Sequence, residues 1–150
     1  MAEEEIVKFD VMDIMKMIPH RYPFLLVDRI TECVPGKYCK GYKNLTMNEE
    51  FFQGHFPGNP VFPGVLQLEA IAQMSAGVLM PLPQYKDKLF LYAGIDGVRF
   101  RKQVKPGDRF DMEAELVKLK GPIAKAHAKG FVDGQLAVEA DLMFSIAGNK

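Results

Sequence analysis

A histidine and a carboxylate, His55 and Glu69, are the residues of this sequence best suited to chemistry, and a glycine- and proline-rich segment lies between them. Histidine is the usual general base near neutral pH. Glu69 interrupts an otherwise apolar stretch, where an unpaired buried charge costs several kcal/mol. Because stability alone would not place a carboxylate there, the pair is a candidate for acid–base chemistry.

The neighbours of this pair supply the remaining parts of such a site. Gln73 follows Glu69 by four residues, on the same helical face, and can hold the carboxylate by a hydrogen bond. The backbone amides of Gly64 and Val65 open the predicted helix, lack partners within it and lie at the positive end of its dipole. A base, an acid and an oxyanion donor form the set that removes a proton next to a carbonyl.

Each of these residues also has a plainer interpretation. Glu69 can reach solvent at an edge of the helix, and a lone loop histidine is more often structural. His55 and Glu69 could also bind zinc, although His20 and His127 lie in unrelated segments and no HExxH motif supplies a third ligand. The motifs of dinucleotide-binding, P-loop and α/β-hydrolase proteins are absent from the sequence.

One predicted helix and a stiff loop must position these groups. Six of the eleven residues from Gly54 to Gly64 are Gly or Pro, which fixes much of the path from His55 to the helix. The helix is predicted to begin near Pro63-Gly64 and to end at Pro81 and Pro83. It is apolar nearly all round, which is typical of a helix that is buried on every side.

The rest of the chain predicts one short helix and a set of strands. Asp10 is a suitable N-cap for a helix that ends at Pro19. The predicted strands are Phe24–Val34, Tyr38–Thr46, Leu89–Ile95, Val98–Val104, Phe110–Leu119, Ile123–Val132 and Leu136–Ile146, with turns that include Asp96-Gly97 and Asp133-Gly134. Since helices do not alternate with these strands, we expect an α+β fold in which a curved antiparallel sheet wraps the buried helix. A single domain over residues 1–150 is expected.

Composition narrows the classes of protein. Of the 150 residues, 48% are apolar and 25% charged, which excludes disordered, collagen-like and coiled-coil chains. Nineteen basic and nineteen acidic side chains count against a nucleic-acid binder. The N-terminus lacks an apolar signal region, and the longest apolar run is shorter than the ~20 residues of a membrane span. Cys33 and Cys39 fit free thiols in a reducing compartment, so we expect a cytoplasmic protein without membrane insertion.

A local basic bias is hidden in the neutral total. Residues 99–130 contain nine basic and four acidic side chains, and Arg99, Arg101 and Lys102 occur with no acid between them. This run is either a solvated face of the sheet or a docking patch for an acidic partner.

Three segments together resemble the β-hydroxyacyl-ACP dehydratases of type II fatty acid synthesis, and the FabZ type more closely than the FabA type. They are Pro19–Arg29, Gly54–Gln73 and Gly94–Asp108, and the second contains the highly specific pattern GHFPxxPxxPGVxxxEAxAQ. The resemblance implies a hot-dog fold and a homodimer with active sites at the subunit interface, assembled further into a hexamer as a trimer of dimers. His20 lies in the first segment and is expected to be structural and near the site, and no catalytic or binding role is predicted for it or for His127.

The resemblance also implies an activity and the roles of residues. The reaction would be loss of water from a (3R)-hydroxyacyl chain on the phosphopantetheine of acyl carrier protein, giving the trans-2-enoyl thioester without a cofactor or metal. His55 would be the catalytic base. Glu69, contributed by the other subunit and oriented by Gln73, would be the acid. The amides of Gly64 and Val65 would polarise the thioester carbonyl. FabA-type enzymes carry Asp at the position of Glu69, so dehydration without double-bond isomerisation is implied.

Family position suggests two further groups of residues. The acyl tunnel would be lined by Phe56, Val61, Leu91, Tyr92 and Phe100, and the carrier protein would dock on Arg99, Arg101 and Lys102.

Two other functions remain possible from the sequence. A hot-dog thioesterase would also bind acyl thioesters beside a helix N-terminus, but it needs a water aligned on the carbonyl carbon. A non-catalytic acyl-binding module would have no activity for substitutions to remove.

Overall fold

The computed structural model describes residues 5–149, which form two α-helices and seven strands. In chain order these are β1 (Val7–Phe9), α1 (Val11–Met17), β2 (Arg29–Val34), β3 (Tyr38–Asn44), α2 (Gly64–Leu79), β4 (Lys88–Phe100), β5 (Arg109–Lys120), β6 (Ile123–Val132) and β7 (Gln135–Asn149). Short 3-10 helices cover Glu50–Gln53 and Pro83–Tyr85. All strands belong to one antiparallel sheet of order β1-β2-β3-β5-β6-β7-β4.

The long helix α2 is the centre of the core, as its all-round apolar pattern predicts. From Gln67 to Leu79, every residue except Glu69 and Ala72 is buried. The helix packs against β2, β3, β5, β6 and β7. Gly77 permits a close approach of α2 to β2 and β3, because a Cβ there would lie 3.0 Å from both Cys39 Sγ and Ile30 Cδ1. The sheet therefore wraps α2 on its inner face, and the predicted α+β architecture is confirmed.

Local sequence signals place the short helix and the last hairpin. Asp10 caps α1 in a capping box: its Oδ1 accepts from the Asp13 amide at 2.9 Å, and the Asp13 carboxylate accepts from the Asp10 amide at 3.1 Å. Asp133 and Gly134 join β6 to β7 with φ of 51° and 77°, the positive angles that a type I′ turn requires. Both predictions from sequence are confirmed.

Four predicted strands have different bounds in the structure: β5 and β7 are longer than predicted, whereas β2 and β3 are shorter. β2 begins at Arg29 and not at Phe24. In the segment before it, the Gln73 side chain, and not a neighbouring strand, forms hydrogen bonds with the Phe24 carbonyl and the Leu26 amide. β3 ends at Asn44 rather than Thr46, and the Asn44 amide donates to the Asp28 carboxylate at 2.6 Å.

The prediction of a turn at Asp96-Gly97 is wrong. β4 is one strand from Lys88 to Phe100, and its register with β7 shifts between Asp96 and Arg99. Gly97, with φ of 61°, supplies the irregular conformation of this bulge. The segment after Phe100 is not a strand. There the Val104 carbonyl accepts a hydrogen bond from the Phe62 amide at 2.7 Å.

The edge strand β4 pairs with β7 on one side and, within residues 5–149, with no strand on the other. Apolar side chains are exposed along it, namely Leu91, Tyr92, Ile95 and Phe100. An edge with free backbone groups and exposed apolar side chains is a template for a further strand. Neither helix of the described residues is long and apolar enough to span a bilayer.

Candidate active site

His55 is held by the backbone of its own loop. Its amide donates to the Phe51 carbonyl at 3.1 Å, and its carbonyl accepts from the Val61 amide at 2.9 Å. The imidazole Nδ1 lies 2.8 Å from the Val61 carbonyl oxygen, and the Phe56 ring stacks on the imidazole at 3.9 Å. Because a carbonyl oxygen only accepts, Nδ1 carries the proton in this contact. In the neutral ring Nε2 then carries the lone pair that a general base needs to accept a proton.

Buried side chains anchor both ends of this loop. At its start, the Lys43 ammonium is buried and lies 3.1 Å from the Glu49 carboxylate, directly before the 3-10 helix Glu50–Gln53. At its end, the Phe62 ring is fully buried against Phe110. The loop is therefore fixed to the sheet on both sides of His55.

The N-terminus of α2 lies in the same cleft as His55. The Pro63 carbonyl accepts from the amides of Leu66 and Gln67, and within the described chain no acceptor is recorded for the amides of Gly64 and Val65. The Phe100 ring lies over Gly64, where a Cβ would come within 2.7 Å of it. The cleft measures ≈ 650 Å³, and its lining includes His55, Val61, Gly64, Val65, Phe100, Arg101 and Lys102.

Glu69 opens into a second cavity, of ≈ 190 Å³, and its side chain is 19% exposed. Its Oε2 accepts from Gln73 Nε2 at 2.8 Å, the hydrogen bond that the four-residue spacing predicts. Gln73 is itself fixed, because its Oε1 accepts from the Leu26 amide and its Nε2 also donates to the Phe24 carbonyl, both at 2.8 Å. The carboxylate thus reaches the surface from a largely buried position and does not lie free at a solvent-exposed helix edge.

The wall of this cavity is mostly apolar. Tyr92 donates its hydroxyl to the Leu68 carbonyl at 2.7 Å, and its ring lies against Phe144. Tyr92 is only partly exposed, and the burial of the rest of its side chain, with a smaller contribution from the Glu69 charge, raises the pKa of Tyr92 well above its usual range. Tyr92 is therefore a neutral donor beside Glu69. Other residues of the lining are Ile18, Ala76, Met80, Leu89, Phe90 and Leu91.

The predicted site residues therefore fall into two groups within one chain. His55, Gly64, Val65 and the tunnel candidates Phe56, Val61 and Phe100 lie around the first cleft, whereas Glu69, Gln73, Leu91 and Tyr92 lie around the second cavity. No hydrogen bond joins His55 to Glu69 in the part of the chain described. The two residues thus line different pockets of one chain, and a site shared between subunits stays a prediction.

The basic residues beside the first cleft differ in their pairing. Arg101 binds the Glu139 carboxylate and lowers the pKa of Glu139. Arg99 is exposed and contacts the Val98 carbonyl at 3.3 Å, and Lys102 is exposed. Over residues 5–149, no group of three or more His, Cys, Asp and Glu side chains is arranged to hold a metal ion.

The sequence places His20 near the site as a structural residue but does not predict its contact with Glu69. Its Nε2 lies 3.5 Å from Glu69 Oε2, and its side chain lines the second cavity. The available signal was its place directly after Pro19 in the first of the three segments that carry the resemblance.

Comparison with known proteins places the chain in a family. A family model described as a FabA-like domain matches residues 18–141. The chain belongs to this family. A relative from Caldicellulosiruptor saccharolyticus is 54% identical over 92% of this chain and 99% of its own length. One from Bacillus pumilus is 55% identical over 91% of this chain and 95% of its own. Both are named 3-hydroxyacyl-acyl-carrier-protein dehydratase FabZ, so the FabZ-type resemblance is confirmed.

Solved structures with low sequence identity to this chain have a similar fold. The dehydratase heterocomplex ApeI:P of Xenorhabdus doucetiae superposes with a TM-score of 0.76 at 15% identity, covering 90% of this chain and 91% of that one. A thioesterase superfamily member of Thermus thermophilus gives a TM-score of 0.62 at 16% identity, covering 75% of this chain and 82% of that one. These likenesses confirm the hot-dog fold, while the FabZ-type relatives favour a dehydratase over the thioesterase and acyl-binding alternatives.

Proposed function

We propose that this protein removes water from a 3-hydroxyacyl thioester of acyl carrier protein in fatty acid biosynthesis, giving the trans-2-enoyl thioester. The observation that carries the proposal is the 2.8 Å contact of His55 Nδ1 with the Val61 carbonyl, which leaves the lone pair of the neutral ring on Nε2. The same cleft holds the amides of Gly64 and Val65, for which no acceptor is found among the described residues. The FabZ-type relatives supply the substrate class.

The first step is removal of the α-proton. The thioester carbonyl accepts hydrogen bonds from the amides of Gly64 and Val65 at the positive end of α2, which stabilise negative charge on its oxygen. The Cα–H becomes more acidic as a result. His55 Nε2 takes the proton, and the Nδ1–H bond to Val61 stabilises the resulting imidazolium in its orientation.

The second step is loss of the β-hydroxyl. Glu69 donates a proton to the hydroxyl, the C–O bond breaks, and the electron pair from Cα forms the C=C bond, so that one water leaves. Gln73 occupies Oε2 of the carboxyl group, which leaves Oε1 to carry the transferred proton. Transfer of the proton from His55 to Glu69 through solvent restores both groups. No step needs a cofactor or a metal.

The proposed site is shared between two subunits. Within one chain, His55 and Glu69 open into different cavities. The free edge of β4, with Leu91, Tyr92, Ile95 and Phe100 exposed along it, supports a two-fold dimer through this strand. In that dimer Glu69 of one subunit would meet His55 of the other, and we extend the proposal to a trimer of such dimers on family resemblance.

The acyl chain and its carrier would follow the same arrangement. Phe56, Val61 and Phe100 would form the mouth of the tunnel at His55, and Leu91 and Tyr92 the apolar cavity behind Glu69. Arg99 and Lys102 would bind the acidic carrier protein, with Arg101 partly engaged by Glu139. Cys33 and Cys39 are free thiols, which supports the expected cytoplasmic location.

The experiment that tests the reaction uses a 3-hydroxyacyl chain on acyl carrier protein. We expect growth of the enoyl chromophore and formation of water, without release of the carrier thiol. Free thiol in the absence of an enoyl product would establish a thioesterase instead. Absence of both products with folded protein would indicate an acyl-binding module.

A further inference from the structure

We propose that His20 is a positioning residue for the Glu69 carboxylate, an inference that rests on the proposed function. His20 Nε2 lies 3.5 Å from Glu69 Oε2, and Gln73 Nε2 lies 2.8 Å from the same oxygen. The side-chain nitrogens of His20 and Gln73 therefore both lie beside the same oxygen of the Glu69 carboxylate. The other oxygen, Oε1, is left to exchange a proton with the substrate.

The buried Nδ1 of His20 identifies the tautomer. This atom has no hydrogen-bond partner among the described residues and is out of contact with solvent. With the proton on Nε2, His20 points an N–H at Glu69 and leaves only a lone pair at the unpartnered position. The opposite tautomer would point a lone pair at a carboxylate and bury an unpaired N–H donor, which costs more. The geometry therefore selects Nε2–H as a donor toward Glu69.

One short segment fixes both donors to Glu69. The His20 ring stacks with Phe24 at an interplanar angle of 17°, and the Phe24 carbonyl binds Gln73. Arg21 ties the same segment to the end of α1, since its guanidinium donates to the carbonyls of Ile18, His20 and Met15. Movement of this segment would displace both partners of the carboxylate together.

The other ionisable groups of the cavity do not replace His20. Besides His20 and Glu69, they are Tyr92 and Lys88. Tyr92 already donates its hydroxyl to the Leu68 carbonyl. Within residues 5–149, no ion pair is recorded between Lys88 and Glu69. The 3.5 Å contact is longer than an ordinary hydrogen bond, and we expect it to shorten when substrate engages Oε1, as catalytic contacts often do.

Three substitutions of His20 separate positioning from packing. H20F keeps an aromatic ring against Phe24 but has no nitrogen. H20Q places an amide N–H near the position of Nε2, and H20N places one near the position of Nδ1. We expect H20F and H20N to lower kcat by about ten- to a hundredfold with little change in KM, because the shortened contact would stabilise the negative charge that develops on Glu69 as it gives up its proton. H20Q should recover most of the lost kcat.

The enoyl assay, with thermal unfolding of each variant as a control for folding, decides between the outcomes. Wild-type kcat in folded H20F would overturn the inference, and so would equal activity of H20Q and H20N. Glu69→Gln is measured in parallel. If Glu69→Gln is inactive while H20F keeps full activity, the inference about His20 alone fails. If Glu69→Gln keeps full activity, the proposed acid is wrong.

Discussion

The His55 loop and the Glu69 cavity differ in what holds their functional side chain. His55 is fixed by main-chain bonds within residues 51–61, and its Nδ1 binds a backbone carbonyl. Glu69 is fixed by side chains, because Gln73 reaches backbone groups 47 and 49 residues away to hold the carboxylate. The proposed base is therefore positioned mainly by hydrogen bonds within its own loop, and the proposed acid by contacts with residues distant in sequence.

This difference has a consequence for mutational sensitivity. Among the described residues, no side chain forms a hydrogen bond with the His55 imidazole, since Nδ1 binds the Val61 carbonyl; side chains hold His55 only indirectly, by anchoring the ends of its loop. Gln73 is by contrast one buried side chain on which the orientation of Glu69 depends. Substitutions around the acid should therefore disturb both activity and stability, whereas those around the base should mostly leave it in place.

Removal of either functional group should give the largest loss. We expect His55→Ala and Glu69→Gln each to lower kcat by about 10²–10⁴-fold, because each removes a proton-transfer group. The enoyl chromophore measures the rate. Neither side chain is part of the hydrophobic core, so the thermal midpoints should stay close to wild type. Full activity of either variant in folded form would contradict its assigned role.

Gln73→Leu tests the dependence of the acid on its buried partner. The substitution removes three hydrogen bonds and leaves the Leu26 amide and the Phe24 carbonyl unpaired. We expect a loss of about 1–3 kcal/mol in the free energy of unfolding and about a tenfold lower kcat. Val61→Ala is the comparison at the base, since it keeps the carbonyl that binds His55: it should change kcat much less, with the effect of its shorter side chain on the tunnel mouth appearing in KM. Equal effects of the two substitutions would remove the contrast between the regions.

Glu49→Leu tests how firmly the His55 loop is anchored. It leaves the buried ammonium of Lys43 without its partner, which should cost about 3 kcal/mol of stability in urea denaturation. The double variant Lys43→Met with Glu49→Leu removes both charges and should recover much of that loss. If Glu49→Leu is as stable as wild type, the ion pair does not anchor the loop.

Arg99→Glu and Lys102→Glu should have the smallest effects, confined to carrier binding. We expect each to raise KM several-fold for carrier-bound substrate, in a salt-dependent manner, and to leave KM for a small thioester analogue unchanged. Lys120→Glu is the control, because Lys120 is exposed at the β5–β6 turn and does not line the cleft. An equal rise with both substrates would contradict a docking role.

The parts of the fold that sequence predicted are those set by local signals. Proline and glycine mark the start of α2, and Asp133-Gly134 marks the last hairpin. Such residues restrict the backbone directly. The turn predicted at Asp96-Gly97 failed because a glycine with positive φ serves a bulge as well as a turn.

The sequence predicted the contacts of the candidate site only where the two residues lie close together along the chain. The Glu69–Gln73 bond follows from helical spacing. The bonds from Gln73 to Phe24 and Leu26, and the place of His20 beside Glu69, depend on packing between distant segments and leave no periodic trace. The separation of His55 from Glu69 within one chain was expected from resemblance alone.

Subunit exchange between two inactive variants tests the shared site most directly. His55→Ala supplies an intact Glu69, and Glu69→Gln supplies an intact His55, so each mixed dimer would contain one complete site. With equal amounts and full exchange, half of the dimers are mixed, and we expect about a quarter of the wild-type rate per dimer. No recovery of enoyl formation, with exchange confirmed by native mass spectrometry, would contradict a site shared between subunits.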